Sequence, residues 1–79
     1  MSDRIYEIVS QILDLPVEQV NDNTSPDTVS AWDSMAQMNL ILAIEVEYGI
    51  SLRPEDAMEM LSVGLIRMIL REYEVLWIL

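Results

Sequence analysis

No cysteine, histidine or lysine occurs anywhere in the 79 residues, and each absence closes a route to chemistry. Without cysteine there are no disulfides and no thiolate metal sites. Without histidine the chain has neither the usual general base nor the commonest metal ligand. The missing lysine removes the Schiff-base nucleophile. No Ser-His or Cys-His pair can be assembled, so the chain reads as something other than an enzyme. Cations are scarce as well. Four arginines against fourteen acids give a formal net charge of -10, which argues against nucleic acid as a partner. Such a surface either steers the protein toward basic patches on other proteins or simply keeps a 52% apolar chain in solution.

Long apolar runs are also missing. Asp3 and Glu7 interrupt the first ten residues, so no signal peptide is expected, and the apolar tail at about 74–79 is far too short to cross a bilayer. A cytoplasmic location follows. Only two glycines and three prolines punctuate the chain, which favours a compact helical fold over disorder. With no internal repeat, residues 1–79 read as a single domain, expected to be a monomer, near the size where one apolar core only just suffices.

What is present is helical periodicity. Ile5, Ile8, Val9, Ile12 and Leu13 fall at i, i+3, i+4, i+7 and i+8, with Ser2 placed to cap the helix and Pro16 setting its end near Leu15. A long connection runs from Pro16 to Trp32 through Asn21, Asp22, Asn23, Thr24, Ser25, Pro26 and Asp27, with Val17 and Val20 as expected anchors on the core. A second helix spans about Ser34 to Tyr48 and stops at Gly49. Pro54, Glu55 and Asp56 open a short third helix to about Met60. Ser62 caps a fourth, in which Ile66, Ile69, Leu70 and Tyr73 repeat and Gly64 weakens the first turn. The prediction is an all-α fold, a small four-helix bundle with a long first loop and a short third helix. The tail either extends the last helix onto the core or forms a self-association patch.

The second helix is apolar on two sides. On a wheel of about 100° per residue, Leu40, Ile41, Ile44 and Tyr48 share one side, while Met35, Met38, Leu42 and Val46 centre roughly 150° away. One stripe must meet the core. The other is either buried by the long loop and a neighbouring helix or left exposed for a partner. At the start of this helix Asp33 or Ser34 can serve as the N-cap. The same position, with unpaired N–H groups and the positive end of the helix dipole, favours a phosphate on Ser34.

The segment Trp32-Asp33-Ser34-Met35, followed by Leu40, Ile41, Ile44, Glu45, Tyr48, Gly49 and Ile50, resembles the Asp-Ser-Leu signature and second helix of the acyl carrier protein family. The likeness runs from about Ile5 to Tyr73. It takes in the Leu15-Pro16-Val17-Glu18-Gln19-Val20 turn, the Pro54-Glu55-Asp56-Ala57 helix, and Ser62-Val63, which is similar to the family's Thr-Val before its last helix. This resemblance implies a bundle of acyl-carrier type with 4′-phosphopantetheine esterified to Ser34. A magnesium-dependent phosphopantetheinyl transferase would attach it from coenzyme A, with Asp33 assisting recognition by the transferase or magnesium binding. The resemblance further implies that acyl or aminoacyl cargo rides as a thioester on the arm, so that the thiol chemistry is imported with the cofactor. The other partners would be a loading ligase and acyl-processing enzymes.

Two departures from the family pattern narrow this. Met35 stands where leucine is usual, a volume-conserving change. Residues Met35 to Ala43 carry no charge, whereas members serving fatty acid synthesis usually display acids there. A specialised pathway is therefore expected, with partners reading Met35, Met38, Leu42 and Val46 by apolar contact. The alternative from another class is a non-carrier helical module that docks through its methionine-rich second helix. Scattered carboxylates such as Glu45 and Glu47 read as a solvated helix face. A calcium loop at Asn21, Asn23 and Ser25 fails, because Pro26 occupies the glycine position and Trp32 the twelfth, so no metal site is expected.

Overall fold

A computed structural model describes residues 4–73. Among these residues there are four α-helices and no strand: α1 (Arg4–Leu13), α2 (Ser34–Tyr48), α3 (Pro54–Met58) and α4 (Val63–Glu72), with one 3₁₀ turn at Val17–Gln19. Helical spacing carries the core, as the periodicity requires. Ile5, Ile8, Val9 and Leu13 of α1, Ala36, Leu40 and Ile44 of α2, and Val63, Ile66, Ile69 and Leu70 of α4 are buried together with Met60. Burying each of these side chains other than Ala36 contributes about 1.5–3 kcal/mol. Exposed ion pairs contribute far less, so the Arg4 bridge to Glu7 and Glu47 decorates the α1–α2 seam without holding it.

The long connection is ordered by its own short polar side chains. Asn21 Oδ1 accepts the Asn23 N–H at 2.8 Å, Thr24 Oγ1 accepts the Asn21 N–H at 3.0 Å, and Ser25 Oγ accepts the Asp27 N–H at 3.2 Å. The turn thus formed points two carbonyls at α4. Val63 N–H donates to Thr24 O at 3.0 Å and Gly64 N–H to Asp22 O at 2.9 Å, while Ser62 Oγ accepts the Leu65 N–H at 3.1 Å. Three N–H groups that a helix start leaves unpaired are therefore satisfied. Asp22 also binds outward: its carboxylate accepts from the Tyr6 hydroxyl at 2.9 Å and from Arg67 at 3.5 Å, and Arg67 lies 5.3 Å from the Tyr6 ring centroid. The Asp22 carboxylate, aided by partial burial, holds the Tyr6 hydroxyl above its ordinary pKa.

Several boundaries differ from the sequence reading. α1 ends at Leu13, before Pro16 acts, because Asp14 turns left-handed at φ 56° and Leu15 N–H closes back on Ser10 O at 3.0 Å. Gly49 does the same for α2 at φ 64°, with Ile50 N–H on Glu45 O at 3.1 Å. Val20 anchors the connection, but Val17 is exposed in the 3₁₀ turn, and Trp32 and Thr24 take the anchoring role instead. α3 stops at Met58. Glu45 and Glu47 do more than face solvent: Glu45 accepts the Leu52 N–H at 2.8 Å and Glu47 pairs with Arg4 at 2.8 Å. The Ser2 cap and the apolar tail lie outside the described residues.

Candidate functional site

α2 begins where Asp33 ends the extended chain. Its Oδ1 accepts the Ala36 N–H at 2.9 Å and its carbonyl accepts the Gln37 N–H at 2.9 Å, so Asp33 is the N-cap and Ser34 the first helical residue. Ser34 is exposed. Its hydroxyl is not spent on capping, and it stands at the positive end of a fifteen-residue helix whose first turn contains no acid.

The ground beneath this turn is fixed from two sides. Trp32, which the sequence places only at the end of the long connection, is a buried core member whose indole N–H donates to Gln37 Oε1. The Gln37 amide nitrogen donates to both Ala57 O and Met60 O at 3.1 Å. One side chain thus ties the loop before Ser34 to α3 and to the segment that follows it. Beside Ser34 these elements leave an open groove of about 360 Å³, lined by Pro26, Trp32, Asp33, Ser34, Gln37 and Leu61. Sequence reasoning missed Gln37 and Leu61. The available signal was a polar residue at 37 among apolar neighbours, and nothing local tells a hub from a solvated glutamine.

The second stripe of α2 lies in solvent. Met35, Met38, Leu42 and Val46 are 72, 65, 56 and 83% exposed, whereas Leu40 and Ile44 are buried and Ile41 and Tyr48 half-buried. The exposed set starts on the turn of Ser34 and extends about 16 Å along the helix at 1.5 Å per residue. At its far end Leu42 and Val46 join Ile8, Ile12 and Ala43 around an open groove of about 390 Å³ between α1 and α2. Arg4 and Glu47 close that end as an ion pair. The Arg4 hydrogen bond holds the Glu47 carboxyl below its usual range, and Glu47 and Glu7 raise Arg4 in turn. Charge therefore brackets the stripe without entering it.

Residues 3–66 match the family described as the phosphopantetheine attachment site. The acyl carrier protein of Buchnera aphidicola subsp. Schizaphis graminum (strain Sg) is 44% identical over 55 residues, covering 68% of this chain and 68% of its own. Ser34 and the four exposed residues of α2 lie within the matched segment.

Proposed function

Because the chain belongs to the acyl carrier protein family, a phosphopantetheine-bearing carrier, we propose that Ser34 carries the arm and that the protein presents acyl or aminoacyl groups to biosynthetic enzymes of a specialised pathway. The observation that carries this reading is the exposed Ser34 hydroxyl at the first turn of α2, with Asp33 already acting as the cap. Its place suits a phosphate ester: helix N–H groups and the dipole favour the negative charge, and the adjoining groove leaves room beside it. When bound, the arm supplies the thiol that holds cargo as a thioester. The chain's own part is to display Ser34, to let Asp33 hold the turn for a phosphopantetheinyl transferase, and to offer partners a surface.

That surface is the stripe of Met35, Met38, Leu42 and Val46. Uncharged and methionine-rich, it suits a partner with an apolar docking site more than a basic one, which favours a dedicated pathway over bulk fatty acid synthesis. Partners in this reading are the transferase, a loading ligase and acyl-processing enzymes. The protein itself is a cytoplasmic monomer and performs no catalysis. No described helix is long and apolar enough to cross a membrane. A non-carrier docking module could use the same stripe, but the family assignment weighs against it.

Intact mass spectrometry after incubation with coenzyme A and a broad-specificity transferase tests the attachment. One arm should be gained by the wild type and none by a folded Ser34→Ala variant. Gain by the variant, or none by the wild type, ends the assignment. The docking face has its own test. Met38→Asp should change stability by no more than about 0.5 kcal/mol while weakening cargo transfer by a cognate enzyme, whereas Ile44→Asp buries a charge and should cost about 4 kcal/mol or more. Thermal melts and a transfer assay read both. Unfolding by Met38→Asp, with Ile44→Asp harmless, would interchange the faces and remove the docking proposal.

A further inference from the structure

Sulfur is distributed unevenly over this fold. The chain has six methionines and no cysteine, so before any arm is attached every sulfur atom it holds is a thioether. Met60 is sealed in the core at 1% exposure, whereas Met35 and Met38 are exposed on the stripe of α2, and Met58 and Met68 are exposed away from it. Met35 follows Ser34 directly. Met38 stands three positions further on the same helix face, where side chains are neighbours at about 5–6 Å between Cβ atoms. Neither residue belongs to the core or packs against it, so leucine would serve the fold equally well. Methionine brings to both positions one property that leucine lacks, a sulfur lone pair open to oxidation.

A hydroperoxide oxidises such a thioether in one balanced step. The sulfur lone pair attacks a peroxide oxygen, an S–O bond forms as the O–O bond breaks, and the departing hydroxide takes the proton of the transferred oxygen and leaves as water. Sulfur loses two electrons and the peroxide gains them. Methionine sulfoxide reductases reverse the change, a dithiol becoming a disulfide while the oxygen leaves as water. On an exposed helix face a polar sulfoxide costs the fold little. On a docking face it costs contact, because an apolar partner site must then bury an oxygen that has no hydrogen-bond donor. Leu42 and Val46 carry no sulfur, so the new polarity falls on the half of the stripe nearest Ser34.

We propose that Met35 and Met38 form a reversible oxidation site that switches the docking face of α2, with a hydroperoxide as the reactant and the buried Met60 out of its reach. This rests on Ser34 as the attachment site and on the stripe as the face that partners read. The oxidised protein stays folded but is loaded slowly. Oxidant therefore acts on traffic through Ser34 and not on stability.

The test uses the full-length protein without its arm, hydrogen peroxide, and a broad-specificity phosphopantetheinyl transferase, with catalase removing the peroxide before coenzyme A is added. Peptide mass spectrometry locates each sulfoxide, and intact mass follows arm attachment, each protein's rate being divided by its own untreated rate. Sulfoxides should appear at Met35 and Met38 well before Met60, and attachment should slow by about fivefold or more, as for one buried oxygen left without a donor. Both reductases together should restore the rate. Met58→Leu/Met68→Leu should slow in the same way, whereas Met35→Leu/Met38→Leu should hold a ratio near one after peroxide. Full oxidation of Met35 and Met38 with an unchanged rate overturns the switch while leaving the attachment intact. Equal slowing in Met35→Leu/Met38→Leu overturns it as well, and so does Met60 oxidising as fast as Met35 and Met38. An untreated Met38→Asp variant loaded at the wild-type rate would remove the docking face, and the switch with it. Absence of attachment to the untreated wild type would remove the carrier reading itself.

Discussion

The starts of α2 and α4 solve the same problem in opposite ways. Both helices begin after an extended capping residue whose side-chain oxygen accepts an N–H three residues on, Asp33 for Ala36 and Ser62 for Leu65. At α4 the loop then seals what remains, with Asp22 and Thr24 carbonyls taking the Gly64 and Val63 N–H groups. At α2 the protein places a groove and an exposed serine there. A sealed helix start is architecture. An open one keeps its dipole and its N–H groups for something outside the chain, which is what a phosphate-bearing attachment residue requires.

The sealed start is the more costly to break. A Cβ added at Gly64 would lie 3.2 Å from Asp22 O, the very carbonyl that its N–H engages. Gly64→Ala should be nearly neutral, because that squeeze offsets a helix-propensity gain of about 1 kcal/mol. Gly64→Val adds branches to the same approach and should destabilise by about 1–3 kcal/mol in thermal or denaturant melts. A stable Gly64→Val would mean that the loop carbonyls do not hold α4, and the contrast between the two helix starts would collapse.

This contrast shows what was legible in the sequence. The four helices, both core stripes of α1 and α4, and the two sides of α2 follow from periodicity, because a 3.6-residue repeat is a local property of the chain. Gly64 was read only as a weak helix residue, since its reason lies more than forty positions away at Asp22. Asp14 was hidden because Pro16 offered a plausible stop two residues later. Trp32, Gln37 and Leu61 belong together only once α3 is packed beside α2, and no local pattern announces that. Ser34 and Asp33 stood out through their place at a loop–helix junction, and the structure adds which of them is the cap.

The far end of α4 sharpens the picture through pH. Tyr73 OH donates to Asp56 Oδ2 at 2.7 Å and accepts the Arg53 N–H at 3.0 Å, and Arg53 Nε reaches the same carboxylate at 2.9 Å. The Tyr73 hydrogen bond, with Arg53 adding to it against partial burial, holds the Asp56 carboxyl below its usual range. A carboxyl whose folded pKa is depressed contributes stability above its unfolded value of about 3.9, and that contribution is lost as pH falls toward the folded pKa. Acid unfolding should therefore show a component below about pH 4 that flattens in Tyr73→Phe. Unchanged acid dependence in that variant would show that the Tyr73 hydroxyl does not set the ionisation of Asp56.

The smallest effect is expected at the open start, and it discriminates most finely. Asp33→Ala removes the oxygen that accepts the Ala36 N–H and should cost about 0.5–2 kcal/mol. Ser34→Ala removes a hydroxyl that stands exposed at the first helical position and is not the cap, so its stability should stay within about 0.5 kcal/mol of wild type. Melting both variants beside the wild type separates a capping serine from a carrying one. If Ser34→Ala cost as much as Asp33→Ala, the hydroxyl would be structural, and its exposure would no longer support a role in carrying the arm. If Asp33→Ala alone lowers the melting temperature while Ser34→Ala alone abolishes modification, the two neighbours divide the work: Asp33 holds the helix start and Ser34 uses it.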